Sequence, residues 1–333
     1  MIIMVDVEYN KINVAIVGYG YIAKYWEKAI SKDSRMNIAG IYDSNITGSV
    51  HGGHKFYKTL DSLLDDTQIS ACIICTPTDY HYETAMGILS SGKNIVVEKP
   101  SVLNIEEYNN LLKKAYQKHA LIYNAFHFVY SPEIAWFRSA LPDLYKQYGR
   151  IGSFYSYFSD PYFIGGELKD KALSLLGSWV DSGSNILSML YSIFDNIWLD
   201  SLTFGDSYAG NFSDLFSTGS MKFKDLKGDT GFGHTVTNWV SNSSFKYTDF
   251  MFPEKDSKIR LNHSELTVTL SNGTGSELLF SAEEENRLLA HYTGLVPAVY
   301  ESLSSGKGNE EYGKMVYNTM YSRLNGGDTN AGE

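Results

Sequence analysis

The chain has 333 residues, too many for one ordinary core and suited to two domains. With 43% hydrophobic and 20% charged residues it has a globular composition, which argues against a disordered or fibrous chain. Its net charge of −10, with scattered basic residues, argues against a nucleic-acid or acidic-membrane surface, and no apolar run reaches membrane-spanning length.

Met1 to Asn10 contains Asp6 and Glu8 and lacks a basic start, so no targeting signal is read and a cytoplasmic protein is expected. Ile12 to Val17 is a Val- and Ile-rich run that reads as a buried strand. Gly18 and Gly20 break it, and Tyr21 to Ser31 reads as a helix. Asn37 to Tyr42 is a second strand. His51 and His54 flank Gly52 and Gly53 in what reads as a flexible loop. No further ligand set is spaced with them, so no metal is expected. Thr59 is the N-cap of a short helix with Leu60, Leu63 and Leu64. Ile69 to Cys75 is a third strand, on which Cys72 and Cys75 point to opposite faces and cannot bridge. They read as buried thiols of a reducing compartment. Tyr82 to Ser90 is a helix ending at Gly92, and Ile95 to Val97 a fourth strand. Asn104 caps a helix running to about His119, with Glu107 at the capping-box position. Leu121 to Ala125 is a fifth strand. This alternation implies right-handed crossovers and a mostly parallel sheet.

The second part follows a different pattern. Phe154, Tyr155, Tyr157 and Phe158 lie in a β-rich run. Gly177 to Phe194 has helical spacing. Strand-like stretches follow, among them Met221 to Phe223, Phe245 to Phe252, Lys258 to Leu261, Leu266 to Leu270 and Leu278 to Phe280. Two helices close the chain, Arg287 to Leu303, interrupted by Pro297, and Asn309 to Leu324. The expected organisation is an α/β domain over residues 1–125, an α+β domain over 126–325 with a mostly antiparallel sheet, and a frayed tail over 326–333.

Gly18-Tyr19-Gly20-Tyr21-Ile22-Ala23 fits G-x-G-x-x-A between a strand and a helix. The first glycine permits a tight turn, the second lets backbone approach a diphosphate, and the small Ala23 lets helix and strand pack closely. The helix N-terminus offers N–H groups to the phosphates. Asp43 closes the second strand roughly 20 residues on. A carboxylate there accepts ribose hydroxyls and repels a 2′-phosphate, which favours NAD over NADP.

Thr76-Pro77-Thr78-Asp79-Tyr80-His81 follows the third strand, and Glu98-Lys99-Pro100 follows the fourth. Both sit where open α/β sheets bind ligands. With the glycine fingerprint and the stretch Gly92 to Pro100, the chain resembles the Gfo/Idh/MocA family (glucose–fructose oxidoreductase, inositol dehydrogenase, rhizopine catabolism). The resemblance implies a Rossmann fold followed by a domain whose open sheet commonly forms the oligomer interface, hence a homodimer or homotetramer. It implies cofactor contacts from Gly18, Gly20, Tyr21, Ile22, Asp43, Thr76, Pro77, His81 and Glu98. It makes Lys99 the active-site lysine beside the nicotinamide and the substrate hydroxyl. The chemistry agrees: a partly desolvated lysine can take or hand on the proton of an alcohol.

The family's second signature is D-x-G-x-H on a helix. Here it reads Asp181-Ser182-Gly183-Ser184-Asn185, with asparagine in place of histidine. Positions i and i+4 share one helix face, but an amide cannot titrate. The aldose 1-dehydrogenases of the family look similar at this point, and His127 in an Ala-Phe-His segment resembles theirs, as does the helix around Ala290-His291-Tyr292. In that reading Lys99 or Asp181 moves the proton, Asn185 holds sugar hydroxyls, and His127 and Tyr157 line the substrate pocket. Tyr157, Asp160 and Tyr162 suit sugar binding and a dimer edge equally. The implied activity is NAD(P)-dependent hydride transfer at a sugar hydroxyl carbon. A nucleotide-sugar 3-dehydrogenase or 3-ketoreductase and a non-catalytic NAD-binding regulator stay open beside it.

Overall fold

A computed structural model describes residues 11–46, 50, 51, 53–205, 214–283 and 286–324. The expected tail over 326–333 and the segment Met1 to Asn10 lie outside these residues. The described chain forms two compact units. One comprises Met1–Ser101, Asn109–Ala125 and Leu295–Glu310, and the other Val102–Tyr108, Phe126–Gly294 and Glu311–Glu333. Two short stretches therefore fall on the other side of a division at 125/126.

The first unit is built on β1 (Ile12–Val17), α1 (Tyr21–Ile30), β2 (Met36–Tyr42), β3 (Val50–His51), β4 (His54–Lys55), α2 (Leu60–Leu64), β5 (Ala71–Ile74), α3 (His81–Ser90), β6 (Asn94–Glu98), α4 (Ile105–Lys118) and β7 (Ile122–Ala125). Five strands form a sheet in the order β2-β1-β5-β6-β7, every neighbouring pair parallel. Val14–Val17, Ala71–Ile74 and Ile95–Val97 are buried, the near-continuous apolar reading of strands covered on both faces. The α2 N-cap is Thr59, whose hydroxyl accepts the Ser62 N–H while the Ser62 hydroxyl faces the Thr59 N–H. At α4, Asn104 Oδ1 accepts the Glu107 N–H at 2.9 Å, and the Glu107 carboxylate reaches back to the Leu103 N–H at 2.8 Å. His119 follows α4 at φ +52°, a left-handed C-terminal position. The stretch holding His51 and His54 is a hairpin, β3 against β4, where a flexible loop is expected from its glycines.

The second unit carries α5 (Pro132–Tyr148), β8 (Ser153–Ser159), a ribbon of β9 (Phe163–Ile164) and β10 (Glu167–Leu168), α6 (Ser184–Tyr191), and then β11 (Asn196–Gly205), β12 (Phe216–Lys224), β13 (Thr230–Asn238), β14 (Phe245–Phe252), β15 (Ser257–Asn262), β16 (Thr267–Asn272) and β17 (Gly275–Ser281). The last helices are α7 (Arg287–Ser305) and α8 (Glu310–Tyr321). Eight strands form one sheet in the order β11-β12-β13-β8-β14-β15-β16-β17. Its pairings are antiparallel except β13 with β8.

Three sequence expectations change here. A long helix, α5, occupies 132–148, buried through Ile134, Phe137, Leu141, Leu144 and Tyr145. Strand β13 was hidden by Gly231 and Gly233, over which the rings of Phe223 and Phe154 lie. Pro297 does not interrupt the last long helix but lies inside α7.

Candidate active site

In the first unit, the chain turns at Gly18 with φ +86°. A methyl added there would lie 2.7 Å from the Thr76 nitrogen and 2.8 Å from the Cys75 carbonyl carbon, so only glycine lets β1 end against β5. A Cβ at Gly20 would meet nothing within 4 Å. The space in front of Gly20 is open, as a close-lying ligand requires. Gly20 is also the N-cap of α1, with no side chain bonded to the end of the helix and no acidic residue in its first turn. The first-turn N–H groups and the positive dipole end thus face that space. Tyr21 and Ile22 contribute backbone there, while the Tyr21 side chain is 70% exposed and meets Tyr25.

Asp43 sits just past β2. Its Oδ2 accepts the Tyr19 N–H at 2.7 Å and its Oδ1 accepts the Asn45 N–H at 2.8 Å. Two backbone donors hold the carboxylate against the glycine turn and leave further lone pairs for ribose hydroxyls. These features fit a dinucleotide: a cradle that a side chain would fill, an open helix end and a fixed carboxylate.

Lys99 follows β6 and precedes a cis bond to Pro100. It is bracketed on both sides. Before it, Glu98 is buried and its Oε1 accepts the Trp26 indole N–H of α1 at 2.8 Å. After it, the Pro100 carbonyl lies 2.7 Å from Nδ1 of His81. Nε2 of His81 lies 2.8 Å from the Thr76 carbonyl, so the ring spans the two turns that begin at Thr76 and Lys99. Burial pulls the His81 pKa below the ordinary histidine value, against the two carbonyls and Asp79, and Lys99 pulls the same way as burial. Glu98 and His81 thus brace the turn from both sides of Lys99.

In the second unit, Asp181 lies in a π-helical turn, Trp179–Gly183, that runs into α6. Such turns are rare and frequent at functional sites. Asp214 holds the turn's start, accepting from the Ser178 hydroxyl and from the Trp179 N–H at 3.1 Å. The Trp179 indole donates to the Met320 carbonyl at 3.1 Å. A methyl at Gly183 would lie 2.7 Å from the Trp179 ring, which explains the glycine of the motif. Asp181 and Asn185 are both nearly buried, and the Asn185 Oδ1 is buried without a hydrogen-bond partner among the described residues. An orphaned amide oxygen here is a ready acceptor for a ligand hydroxyl.

His127 lies in the short helical turn His127–Tyr130 that packs on α6. Its Nδ1 is 3.2 Å from Nδ1 of His291, and its ring stacks on Tyr292. Tyr157 does not join this group. Side chains alternate along β8, so Phe154, Ser156 and Phe158 face α6, with Ser156 bonded to Thr248, which reaches Met189 of α6. Tyr157 faces the other side, beside Tyr247 and the Asn238 amide. Of its expected companions, Asp160 is buried in an ion pair with Lys246 at 2.7 Å, and Tyr162 packs on Trp239.

Residues 12–126 match the family described as "Oxidoreductase family, NAD-binding Rossmann fold", GFO_IDH_MocA. This stretch of the chain belongs to the Gfo/Idh/MocA oxidoreductases. Inositol 2-dehydrogenase of Rhizobium meliloti is 28% identical over 144 residues, 42% of this chain and 42% of that enzyme. UDP-N-acetylglucosamine 3-dehydrogenase of Acidithiobacillus ferrooxidans is 24% identical over 111 residues, 32% of this chain and 34% of that enzyme. These matches thus span less than half of the relatives' own lengths. The D-galactose-1-dehydrogenase structure from Rhizobium etli superposes with a TM-score of 0.75 at 20% identity, covering 95% of each chain, a likeness of fold.

Some groups of this chain escape motif reading. Glu133 and His263, 130 positions apart, are both fully buried and meet at 2.8 Å. Glu133 also accepts from the Ser131 hydroxyl, and His263 Nε2 lies 3.0 Å from the Thr248 hydroxyl. Thr248 is itself fully buried, so this chain of contacts ties α5 to β14 without meeting solvent. Among the described residues no cluster of three His, Cys, Asp or Glu is placed to hold a metal, both cysteines are free thiols, and no helix is long and apolar enough to cross a membrane.

Proposed function

We propose that this protein is an NAD-dependent dehydrogenase that transfers hydride at a hydroxyl-bearing carbon of a sugar or sugar derivative. The observation that carries the reading lies in the first unit. The glycine turn, the Thr76 turn and Lys99 leave the C-terminal ends of β1, β5 and β6, three neighbouring parallel strands. At about 4.8 Å per strand, the diphosphate cradle and the lysine share one end of the sheet about 10 Å apart. Ligands bind at that end of open α/β sheets.

When bound, NAD supplies the hydride acceptor. The Gly18–Gly20 backbone and the α1 N-terminus hold its diphosphate, and Asp43 takes the ribose hydroxyls and disfavours a 2′-phosphate. The Lys99 amine accepts a hydrogen bond from the reacting hydroxyl and takes its proton as hydride leaves the same carbon for the nicotinamide. Asp181 is the second candidate for moving the proton. Asn185 and His127 are the second unit's candidates for holding sugar hydroxyls, and Asn185 supplies no proton. Oxidation of a cyclic aldose at C1 is the favoured form. A nucleotide-sugar 3-dehydrogenase is the second reading, supported by the match to the UDP-N-acetylglucosamine enzyme. The sheet face bearing Tyr155, Tyr157, Tyr247 and the exposed Phe232 is the proposed homodimer or homotetramer surface.

The test is NAD reduction followed by absorbance against aldoses, inositols and nucleotide sugars. Turnover is expected with one class. Lys99→Met should lower kcat by about 10²–10⁴-fold while leaving NADH affinity within a few-fold. Silence across the panel with intact NADH binding would favour a regulatory protein.

A further inference from the structure

The corner around Asp43 holds a set of contacts that the glycine motif alone does not require. Tyr19, between Gly18 and Gly20, works in two directions. Its N–H donates to Asp43 Oδ2 at 2.7 Å, and its hydroxyl donates to Glu27 Oε2 at 2.6 Å. Glu27 lies further along α1, and its other oxygen, Oε1, faces Nε2 of His54 on β4 at 2.8 Å. The hairpin that carries His54 is itself fixed beside Asp43. The Tyr57 N–H donates to the Ile41 carbonyl of β2 at 2.9 Å, and the buried Phe56 meets the Tyr19 ring edge-on, centroids 5.7 Å apart. Helix α1, strand β2 and the β3–β4 hairpin thus converge on one buried tyrosine.

The charges of this corner follow the same plan. Lys24 Nζ lies over the Tyr19 ring, 3.2 Å from its centroid, and Lys24 and Glu27 stand i and i+3 on one helix face. His54 is engaged by Glu27. Lys55, on the opposite face of β4, is held by Asp66 at 3.3 Å and lies over Tyr57. Against its own partial burial, the bonds from Tyr19 and His54 and the charge of Lys24 hold the Glu27 carboxyl below its ordinary value, so it is an anion at neutral pH. Burial and Glu27 together push the Tyr19 phenol up, so it stays a donor. A 2′-phosphate needs cationic donors that are free to meet it. Here Lys24 and His54 already have an anion and an aromatic face as partners.

We propose that Tyr19 and Glu27 determine cofactor specificity: Tyr19 positions Asp43 for the ribose hydroxyls, and Glu27 withholds Lys24 and His54 from a 2′-phosphate. On the reading of the Gly18–Ala23 turn as the NAD site, on which this inference rests, two carboxylates of the first unit share the selection. Asp43 opposes the phosphate directly. Glu27 opposes it by occupying the cations that would otherwise compensate for Asp43. Neither acts on the hydride-transfer step, so their loss changes which dinucleotide binds.

The test is fluorescence titration with NADH and with NADPH, which needs no substrate and no turnover. The parent should bind NADH more tightly. Glu27→Gln keeps the shape and an acceptor for the Tyr19 hydroxyl but removes the charge. It should tighten NADPH by about tenfold, the scale of one unit charge at a screened site, and leave NADH within about threefold. That gain should shrink in about 0.5 M salt. Tyr19→Phe, which loses only the hydroxyl, should weaken NADH by about fivefold, the worth of one hydrogen bond. Lys55→Gln is the control, and its NADH-to-NADPH ratio should match the parent's. An unchanged ratio in Glu27→Gln, a gain that survives salt, or a comparable shift in Lys55→Gln overturns the inference, as does a parent that prefers NADPH. A parent that binds neither nucleotide would discard the NAD site itself and this inference with it. A protein with the expected ratios that turns over no sugar would lose the dehydrogenase reading alone.

Discussion

In the first unit the groups proposed to hold the cofactor are mostly main chain, the turn at Gly18 and the open end of α1. In the second unit the proposed groups are side chains, Asp181, Asn185 and His127, set among buried polar partners such as Asp214, His291 and the Glu133–His263 pair. Main-chain presentation depends on what cannot be added, since a single methyl closes the cradle. Side-chain presentation depends on what cannot be removed, since each buried polar atom leaves an unsatisfied neighbour when its partner goes. Damage to the first unit should therefore show mainly in ligand binding, and damage to the second in stability.

The largest effect should come from Glu133→Ala. It strands a fully buried imidazole and the Ser131 hydroxyl, for a loss of about 3–5 kcal/mol in urea unfolding. NADH affinity of the folded fraction should be unchanged, and a weakened affinity would break the contrast. Gly18→Ala comes next. Its methyl meets the Thr76 nitrogen at 2.7 Å on a backbone with φ +86°. Overpacking and a left-handed alanine together cost about 3 kcal/mol, and NADH binding, read by fluorescence titration, should fall below detection.

The smallest effect is a pH dependence. Burial lowers the pKa of His81, His263 and His291 in the folded chain. The unfolded chain then binds more protons, so stability is complete above an unfolded histidine pKa of about 6.5 and falls as pH drops below it, by at most about 1.4 kcal/mol per pH unit for each residue. Two of the three lie in the second unit. His263→Phe should therefore flatten the fall in melting temperature between pH 7 and 5, although it lowers stability at pH 7. An unchanged slope would mean that another group governs the acid limb.

Much of this fold is legible in local sequence because its causes are local. The run Ile12–Val17, the cap at Thr59 and the pair Asn104–Glu107 each need only neighbours a few residues away. The α5 helix escaped because Pro132 and Pro142 suggest breaks. Pro132 sits in the first turn of α5, where its missing N–H costs nothing, and Pro142 lies inside the helix between the buried Leu141 and the exposed Asp143. Strand β13 escaped because its glycines lower strand propensity while making room for Phe154 and Phe223. The glycine turn, Asp43 and Lys99 are readable since they occupy fixed places in a strand–turn–helix pattern. Which face of β8 carries Tyr157 depends on pairing with β13 and β14, which no local pattern shows. The His127–His291 contact joins residues 164 positions apart and has no local signature.

The single parallel pairing in the larger sheet bears on how the chain is made. Strand β8, seven residues long and carrying two Phe and two Tyr, ends up between β13 and β14, both of which come much later in the chain. During synthesis it waits with both edges unpaired while more than 70 residues follow (Ser153 pairs with Phe232). An aromatic strand with two open edges is a template for other chains. The stretch Ser153–Ser159 is therefore where a growing or heat-stressed chain is most exposed to aggregation, and where chaperone capture would protect it most.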